Sequence, residues 1–206
     1  MSRAPNIRLQ SMVANLTNIA RHYYSLEEYF ALEQSSNAQF EYWDGDIVCR
    51  SGGTPNKYRL ITNVFGVFAT KLKSKEWKVF SSCVPIYTSK TLPYRYADAS
   101  IIYGDPSYTN FNGIYALENP VILVEVLSDT TEHADKNQKR IAYQAIKSLQ
   151  EYILIEQNEV HVTHYVRQGD FWSIKDYREM QEVIELPSIG DTITVREIYA
   201  NVKFED

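Results

Sequence analysis

The sequence has few cysteines and no long hydrophobic run. Its two cysteines, Cys49 and Cys83, are too few for a disulfide framework or a zinc cluster, and we interpret them as small core residues. No run of about 18 apolar residues is present to cross a membrane, and the first residues lack the apolar segment of a secretory signal. We therefore expect a cytoplasmic protein with no membrane partner.

The chain as a whole also has fewer basic than acidic residues, 21 against 26. A net charge of -5 argues against a protein that coats nucleic acid indiscriminately. Residues 57–78 are the exception, because they carry six basic residues and a single acid, Glu76. This segment indicates either a solvated helix face or a surface that faces phosphate.

The length of 206 residues fits one domain with a substantial core. Residues 1–22 contain three arginines, no acid and no clear periodicity, so we interpret them as an N-terminal extension without assigned chemistry. Residues 23–206 are predicted to form the single domain.

Periodicity and turn residues predict the order of helices and strands. Ser25 and Glu28 form a capping box, Asp44-Gly45 is a strong hairpin signal, and residues 110–119 are predicted to be a loop. Helices are expected at 25–34, 57–74 and 132–149, and strands at 39–43, 46–49, 79–88, 96–103, 121–127, 151–156, 160–166, 171–177 and in part of 191–199.

Glu125 interrupts the apolar run Val121–Leu127, which is typical of a strand buried on both faces. An ionised carboxylate there costs several kcal/mol unless a cation or metal compensates it. Side-chain alternation leaves it no cation on its own strand, so its partner must come from another element. A structural ion pair and a functional acid are both compatible with this pattern.

Three acids, Glu41, Asp98 and Glu125, lie at the edges of predicted core strands. Converging carboxylates repel one another, and a hard divalent cation relieves that repulsion. Oxygen donors alone favour Mg²⁺ or Mn²⁺, which can activate water against a phosphodiester while a nearby lysine stabilises the developing charge. The three acids therefore predict a metal-dependent nuclease.

The helix predicted at 132–149 presents polar groups towards the same point. Its apolar stripe is expected to contain Ile141, Ala142, Ala145, Ile146 and Leu149. Asp135 and Gln138 continue this stripe and Lys139 lies on its flank, where its removal should cost about 1 kcal/mol or less.

The order of Asp98 strand, Glu125 strand and cation-bearing helix resembles the PD-(D/E)XK nuclease superfamily. More specifically, the chain resembles the putative restriction endonuclease family of uncharacterised proteins within it, over roughly residues 23–200. The shared motifs are Tyr24-Ser-Leu-Glu-Glu-Tyr29, Glu41 with Asp44-Gly45, the Asp98 strand, Glu125-Val-Leu-Ser128 followed by Thr131, Asp135, Lys139 and Tyr143, and Glu151-Tyr152.

This resemblance implies an α/β fold, a restriction-endonuclease-like mixed sheet with a parallel centre flanked by helices. Asp98, Glu125 and the Val126 carbonyl would bind Mg²⁺ or Mn²⁺, Glu41 would act through water or a second ion, and Lys139 would stabilise the scissile phosphate or position the water. Asp135, Gln138 and Tyr143 would support this site. Nucleic acid is the expected partner, with DNA favoured over RNA. Whether the chain forms a homodimer is left open.

Two departures from the family pattern are visible. The usual lysine two residues after the second acid is replaced by Leu127, which makes Lys139 the substitute. Near the family's frequent histidine the chain has Pro55-Asn56-Lys57, and Tyr96-Ala97-Asp98 stands where Pro-Asp is frequent.

Two rival functions remain open. One is a non-catalytic nuclease-fold module that binds nucleic acid or protein, whose acids need not converge. The other is a hydrolase of a different phosphorylated substrate.

Overall fold

The centre of the fold is a six-stranded sheet. The computed structural model describes residues 23–43, 45–50, 52–73, 76–88, 94–128 and 134–204, without the side chains of Phe111, Ala134 and Asp135. In spatial order, with strands numbered along the chain, the sheet contains β12 (Phe171–Tyr177), β11 (Val162–Gln168), β10 (Glu151–Ile155), β9 (Ile122–Val126), β6 (Ala99–Tyr103) and β3 (Trp77–Ser81).

The two middle strands, β9 and β10, run parallel, and their outer neighbours in the sheet pair antiparallel. Every residue of β9 and β10 is buried, which agrees with their nearly continuous apolar sequences. The predicted mixed sheet with a parallel centre is therefore confirmed, and Glu125 lies in its most enclosed part.

Two helices begin within about two residues of their predicted positions, and the second of them covers the six-stranded sheet. Helix α1 (Leu26–Ser35) starts at the capping box of Ser25 and Glu28, and α2 (Pro55–Leu72) starts after the N-cap Thr54. The buried stripe of α2 packs against β6, β9 and β10, and it consists of Leu60, Val64, Phe68 and Leu72. The chain closes with β14 (Asp191–Thr194), paired with β13 (Val183–Leu186), and the short helix α4 (Val195–Ile198).

The remaining strands described in this part of the fold form a hairpin and a smaller sheet. The predicted hairpin is present as β1 (Phe40–Trp43) and β2 (Asp46–Cys49), although Asp44 itself lies outside the described residues. A four-stranded sheet has the spatial order β5 (Tyr94–Tyr96), β4 (Pro85–Tyr87), β8 (Ile114–Leu117) and β7 (Tyr108–Phe111).

Residues 110–119, predicted to be a loop, instead contain the turn of the β7–β8 hairpin. Asn112 and Gly113 have φ values of 49° and 88°, which suit the two-residue turn that favours Asn-Gly. The loop prediction was wrong because the flanking residues lack clear apolar alternation, although the Asn-Gly signal was present.

The helix expected at 132–149 is shorter and differently wound. A π-helical segment, Ala134–Lys139, continues into α3, Arg140–Gln144, and the helix ends there. The Arg167 guanidinium donates hydrogen bonds to the Gln144, Ile146 and Leu149 carbonyls, which stabilises the turn towards β10. A long-range side chain therefore caps the end of this helix, a contact that helical periodicity does not indicate.

Two further predictions concern exposure. The interpretation of Cys49 and Cys83 as core residues was wrong, because both are exposed; Cys49 lies at the solvent-facing end of β2.

Among the described residues, no helix is long and apolar enough to cross a membrane. Residues 1–22, the predicted extension, lie outside the described part of the chain.

Candidate active site

A cavity of about 670 Å³ lies where β1, β2, the start of α2, the β5–β6 bend and the end of β9 meet. Such a volume suits a ligand of nucleotide size. Among the described residues, its charged lining consists of Glu41, Arg50, Lys57, Asp98, Glu125 and Lys139. The structure thus brings together all four side chains predicted from the sequence as catalytic and adds two cations.

Glu125 faces the cavity end of β9 and is only 1% exposed. Its Oε1 accepts a hydrogen bond from Lys139 Nζ at 3.1 Å and another from the Tyr143 hydroxyl at 3.2 Å. The partner that the sequence required from another element is therefore the helix after β9.

Lys139 connects two of the acids. Its Nζ lies 3.1 Å from Glu41 Oε1 and 3.1 Å from Glu125 Oε1, and it donates to the Tyr96 carbonyl at 3.1 Å. The residue is 4% exposed. Its ammonium is thus enclosed among acceptors rather than solvated.

The predicted position of Lys139 on the helix flank was wrong. Lys139, Tyr143, Ile146 and Leu149 are buried, whereas Ile141 is 64% exposed. Lys139, Tyr143 and Ile146 follow one another at steps of four and three residues, which is ordinary helical spacing, so the inward face includes Lys139 and Tyr143 in place of the predicted Ile141.

The residues of this helix that were predicted to support the site differ in their exposure. Tyr143 is fully buried and contacts Glu125, as expected of a supporting residue. Gln138 is exposed but lines the cavity. The side chain of Asp135, like the whole of Thr131, lies outside the described residues.

Asp98 occupies the bend between β5 and β6, which divides the single strand predicted there. Its backbone N–H donates to the Val124 carbonyl at 2.9 Å, and its Oδ2 accepts from the Val126 N–H at 2.8 Å. These two bonds hold the Asp98 carboxylate beside the β9 strand that carries Glu125. The Val126 carbonyl as a metal ligand remains a prediction.

Glu41 reaches the same point from β1. Its Oε1 accepts from the Tyr96 N–H at 3.0 Å and lies 3.7 Å from Arg50 Nε. Burial opposes ionisation of Glu41, but the charges of Lys139 and Arg50 outweigh it and lower the pKa of the carboxyl below its ordinary value. Glu41 is therefore an ionised, enclosed acid.

Arg50 is a site residue that the sequence analysis missed. Its Nη2 donates to Asp98 Oδ1 at 3.1 Å. Burial opposes the charge, but Asp98 and Glu41 outweigh it and raise the pKa of the Arg50 guanidinium. Cross-strand geometry could have identified it, because Glu41 pairs with Val48 and Arg50 is two residues further along, at a diagonal position on the same face.

Lys57 shows that one cation of the basic segment 57–78 faces the cavity. Its Nζ lies 3.7 Å from Asp98 Oδ2, inside the cavity. Lys71 and Lys78 instead pair with acids elsewhere, at Glu197 and Asp105. The segment is therefore divided between a site cation and surface ion pairs.

The donor set has the chemistry of a hard-cation site, since Glu41, Asp98 and Glu125 offer only carboxylate oxygens. Among the residues that the structure describes, no three or more His, Cys, Asp or Glu side chains are grouped closely enough to hold one metal ion. Lys139, Arg50 and Lys57 instead lie against these carboxylates. The residue types therefore fit Mg²⁺ or Mn²⁺, and binding of such an ion would require these cations to move away from the carboxylates.

Comparison with known proteins identifies the family. The model of Uma2, described as "putative restriction endonuclease", matches residues 26–196. The chain belongs to this family. The resemblance inferred from the sequence motifs is thereby confirmed.

Two relatives of this family member come from Synechocystis sp. and are both described as uncharacterized proteins. One, sll1609, is 32% identical over 143 residues, covering 69% of this chain and 80% of the relative. The other, slr1290, is 30% identical over 183 residues, covering 87% and 93% respectively.

A solved structure supports the assignment of the fold. The crystal structure of a putative nuclease from Anabaena variabilis matches with a TM-score of 0.68 at 16% identity, covering 86% of this chain and 98% of that one. The expected nuclease-like α/β fold is confirmed.

Proposed function

We propose that this Uma2 family member is a metal-dependent endonuclease that hydrolyses phosphodiester bonds in nucleic acid, with DNA as the first candidate. The observation that carries the proposal is the convergence of Glu41, Asp98, Glu125 and Lys139 on one cavity from separate elements. Buried acids are costly, so their joint placement beside cations supports a functional site.

In this proposal Asp98, Glu125 and the Val126 carbonyl hold Mg²⁺ or Mn²⁺, and Glu41 contributes through water or a second ion. When bound, the cation would polarise the phosphodiester and make water a stronger nucleophile. Lys139 holds Glu41 and Glu125 near each other through its two 3.1 Å contacts, and its charge favours the ionised form of Glu41. Its ammonium would also stabilise charge that develops on the phosphate.

The experiment is a cleavage assay on supercoiled plasmid and on linear double- and single-stranded DNA, with Mg²⁺, with Mn²⁺ and with EDTA. Asp98→Asn and Glu125→Gln should each abolish cleavage. Glu118→Gln is the matched control, because this exposed acid bonds only to Ser107 among the contacts described and lies outside the cavity.

The rival function, a non-catalytic binding module, is favoured by one observation: cations contact all three carboxylates. A wild type that binds DNA but cleaves none of these substrates with either metal would support this rival. Release of phosphate from mononucleotides without DNA cleavage would instead support a hydrolase of another phosphorylated substrate.

A further inference from the structure

We infer that Arg50 and Lys57 form the phosphate-binding part of the cavity, and that Asp98 is their resting counter-ion. This inference rests on the proposed nucleic-acid substrate, but not on cleavage. It assigns Asp98 two roles: the carboxylate would compete with phosphate for the cations when no metal is bound, and release them when it binds metal.

The first argument is the geometry at Asp98. Arg50 Nη2 lies 3.1 Å from Oδ1, and Lys57 Nζ lies 3.7 Å from Oδ2. One carboxylate thus contacts two cations that come from different elements, the end of the β1–β2 hairpin and the first turn of α2. An oxyanion with several acceptor oxygens, such as a phosphodiester, can replace a carboxylate at such a pair.

The second argument is exposure within the cavity. The side chains of Arg50 and Lys57 are 16% and 13% exposed, against 4% for Lys139 and 3% for Asp98. A ligand that enters the cavity therefore meets Arg50 and Lys57 more readily than Lys139. Arg50 and Lys57 are thus the first cations that an incoming anion meets, and Lys139 lies deeper, against Glu41 and Glu125.

The third argument is the support around these cations. Arg50 Nη1 donates to the Ser82 carbonyl at 3.2 Å, and its guanidinium lies 5.3 Å from the centre of the Tyr96 ring, so it is held in place. Lys57 lies in the first turn of α2, which has no acidic residue there to complement the positive helix end. Both features favour binding of an anion beside Asp98.

These relationships couple metal to phosphate. Among the residues that the structure describes, three carboxylates and three cations line the cavity, so these cations compete with a metal ion for the carboxylates. A divalent cation on Asp98 would weaken its hold on Arg50 and Lys57 and leave them to bind the phosphate. By linkage, DNA should tighten metal binding by the same factor as metal tightens DNA binding.

The test measures fluorescence anisotropy of a labelled DNA oligonucleotide in EDTA, over a series of salt concentrations. Asp98→Asn, which retains an acceptor for the Val126 N–H, should bind DNA more tightly than wild type, on the order of tenfold, because the competing charge is lost. Arg50→Gln and Lys57→Gln should each bind more weakly and reduce the salt slope by about one.

Lys71→Gln is the matched control. Lys71 lies on the same helix and has its own acid, Glu197, at the same 3.7 Å separation, but it does not line the cavity. Its substitution should leave the metal-free affinity within about twofold of wild type, since one distant surface cation contributes little.

A second measurement covers the case in which Asp98→Asn does not fold. Titration calorimetry with Mn²⁺ and no DNA should show tighter metal binding for Arg50→Gln and Lys57→Gln than for wild type, because each removes a cation that competes for Asp98. Cations with only a structural role would leave metal affinity unchanged or weaken it.

The inference is overturned if folded Asp98→Asn binds metal-free DNA no more tightly than wild type, if Lys71→Gln loses as much affinity as Lys57→Gln, or if neither cation variant gains Mn²⁺ affinity. The expected binding pattern without any cleavage would retain the phosphate site and reject the nuclease proposal. Cleavage by the wild type, with the DNA and Mn²⁺ affinities of the variants unchanged, would retain the nuclease proposal and reject the phosphate site.

Discussion

Lys139 and Glu125 form a buried ion pair, with 3.1 Å between Nζ and Oε1. The Tyr143 hydroxyl donates to the same carboxylate oxygen, and the same ammonium contacts Glu41. A single lysine therefore links the helix after β9 to two strands, and it combines a structural role with the catalytic role proposed for it.

Replacement of this lysine should affect both stability and rate. Lys139→Met leaves two enclosed carboxylates without their shared cation, so the free energy of unfolding should decrease by about 3 kcal/mol. Cleavage at a temperature where the variant is folded should decrease on the order of 10²-fold. Urea unfolding and a cleavage assay measure these effects.

The control for this variant is Lys136→Met. Lys136 belongs to the same π-helical segment, but its ion pair with Glu156 is more exposed. It should lose less than about 1 kcal/mol. Equal stability of the two variants would show that the Lys139 pair contributes no more than a surface pair.

The stability contribution of Glu41 should depend on pH. Its folded-state pKa lies below the ordinary value of 4.5, so the native state favours the ionised form. This contribution is present above that ordinary pKa and is lost as the pH decreases through the folded-state pKa. The stability difference between wild type and Glu41→Gln, measured by urea unfolding from pH 7 to pH 3, should therefore narrow on acidification.

A difference that stays constant over this pH range would argue against an ionised, stabilised Glu41. The comparison uses Gln because it preserves the size of the side chain and can still accept the Tyr96 N–H hydrogen bond. Other acids titrate in both proteins, so their contributions largely cancel.

The proposed metal site should discriminate between divalent ions. Mg²⁺ and Mn²⁺ should support cleavage, whereas Ca²⁺ should bind with little turnover because its larger, looser coordination shell orients water poorly. Calorimetry and cleavage assays with the three ions check this prediction. Normal cleavage by a folded wild type that binds no divalent ion would contradict it.

Glu151, from the shared Glu151-Tyr152 motif, should be structural rather than catalytic. It is fully buried, lies 2.6 Å from His164 Nε2, and accepts the Ser188 N–H at 2.8 Å. Glu151→Gln should cost about 3 kcal/mol of unfolding free energy, since it breaks an enclosed network. Calorimetry on the folded variant should show unchanged metal binding.

Asp176→Asn provides the comparison for Glu151. Asp176 contacts His161 at 2.8 Å, but its side chain is half exposed. Its loss should cost less than about 1 kcal/mol in urea unfolding. A change in metal affinity for Glu151→Gln would indicate that this network also positions the candidate site.

Local sequence patterns predicted much of the fold. The capping box at Ser25, the Asp44-Gly45 hairpin signal and the apolar stripe of α2 each depend on residues close along the chain, where propensity and side-chain periodicity act directly. Long-range effects were harder to predict. The end of α3 is capped by Arg167, a residue that no local pattern connects with the helix.

By itself, the sequence determined that Glu125 would be buried and would need a partner from elsewhere, because a charge inside an apolar strand must be compensated. Its order of motifs also determined the family. Only the tertiary structure decided which cations supply the compensation. The helix after β9 packs with Lys139 on its inward face, and folding places Arg50 and Lys57 at Asp98, because ion pairing depends on distances in space that separation along the chain does not encode.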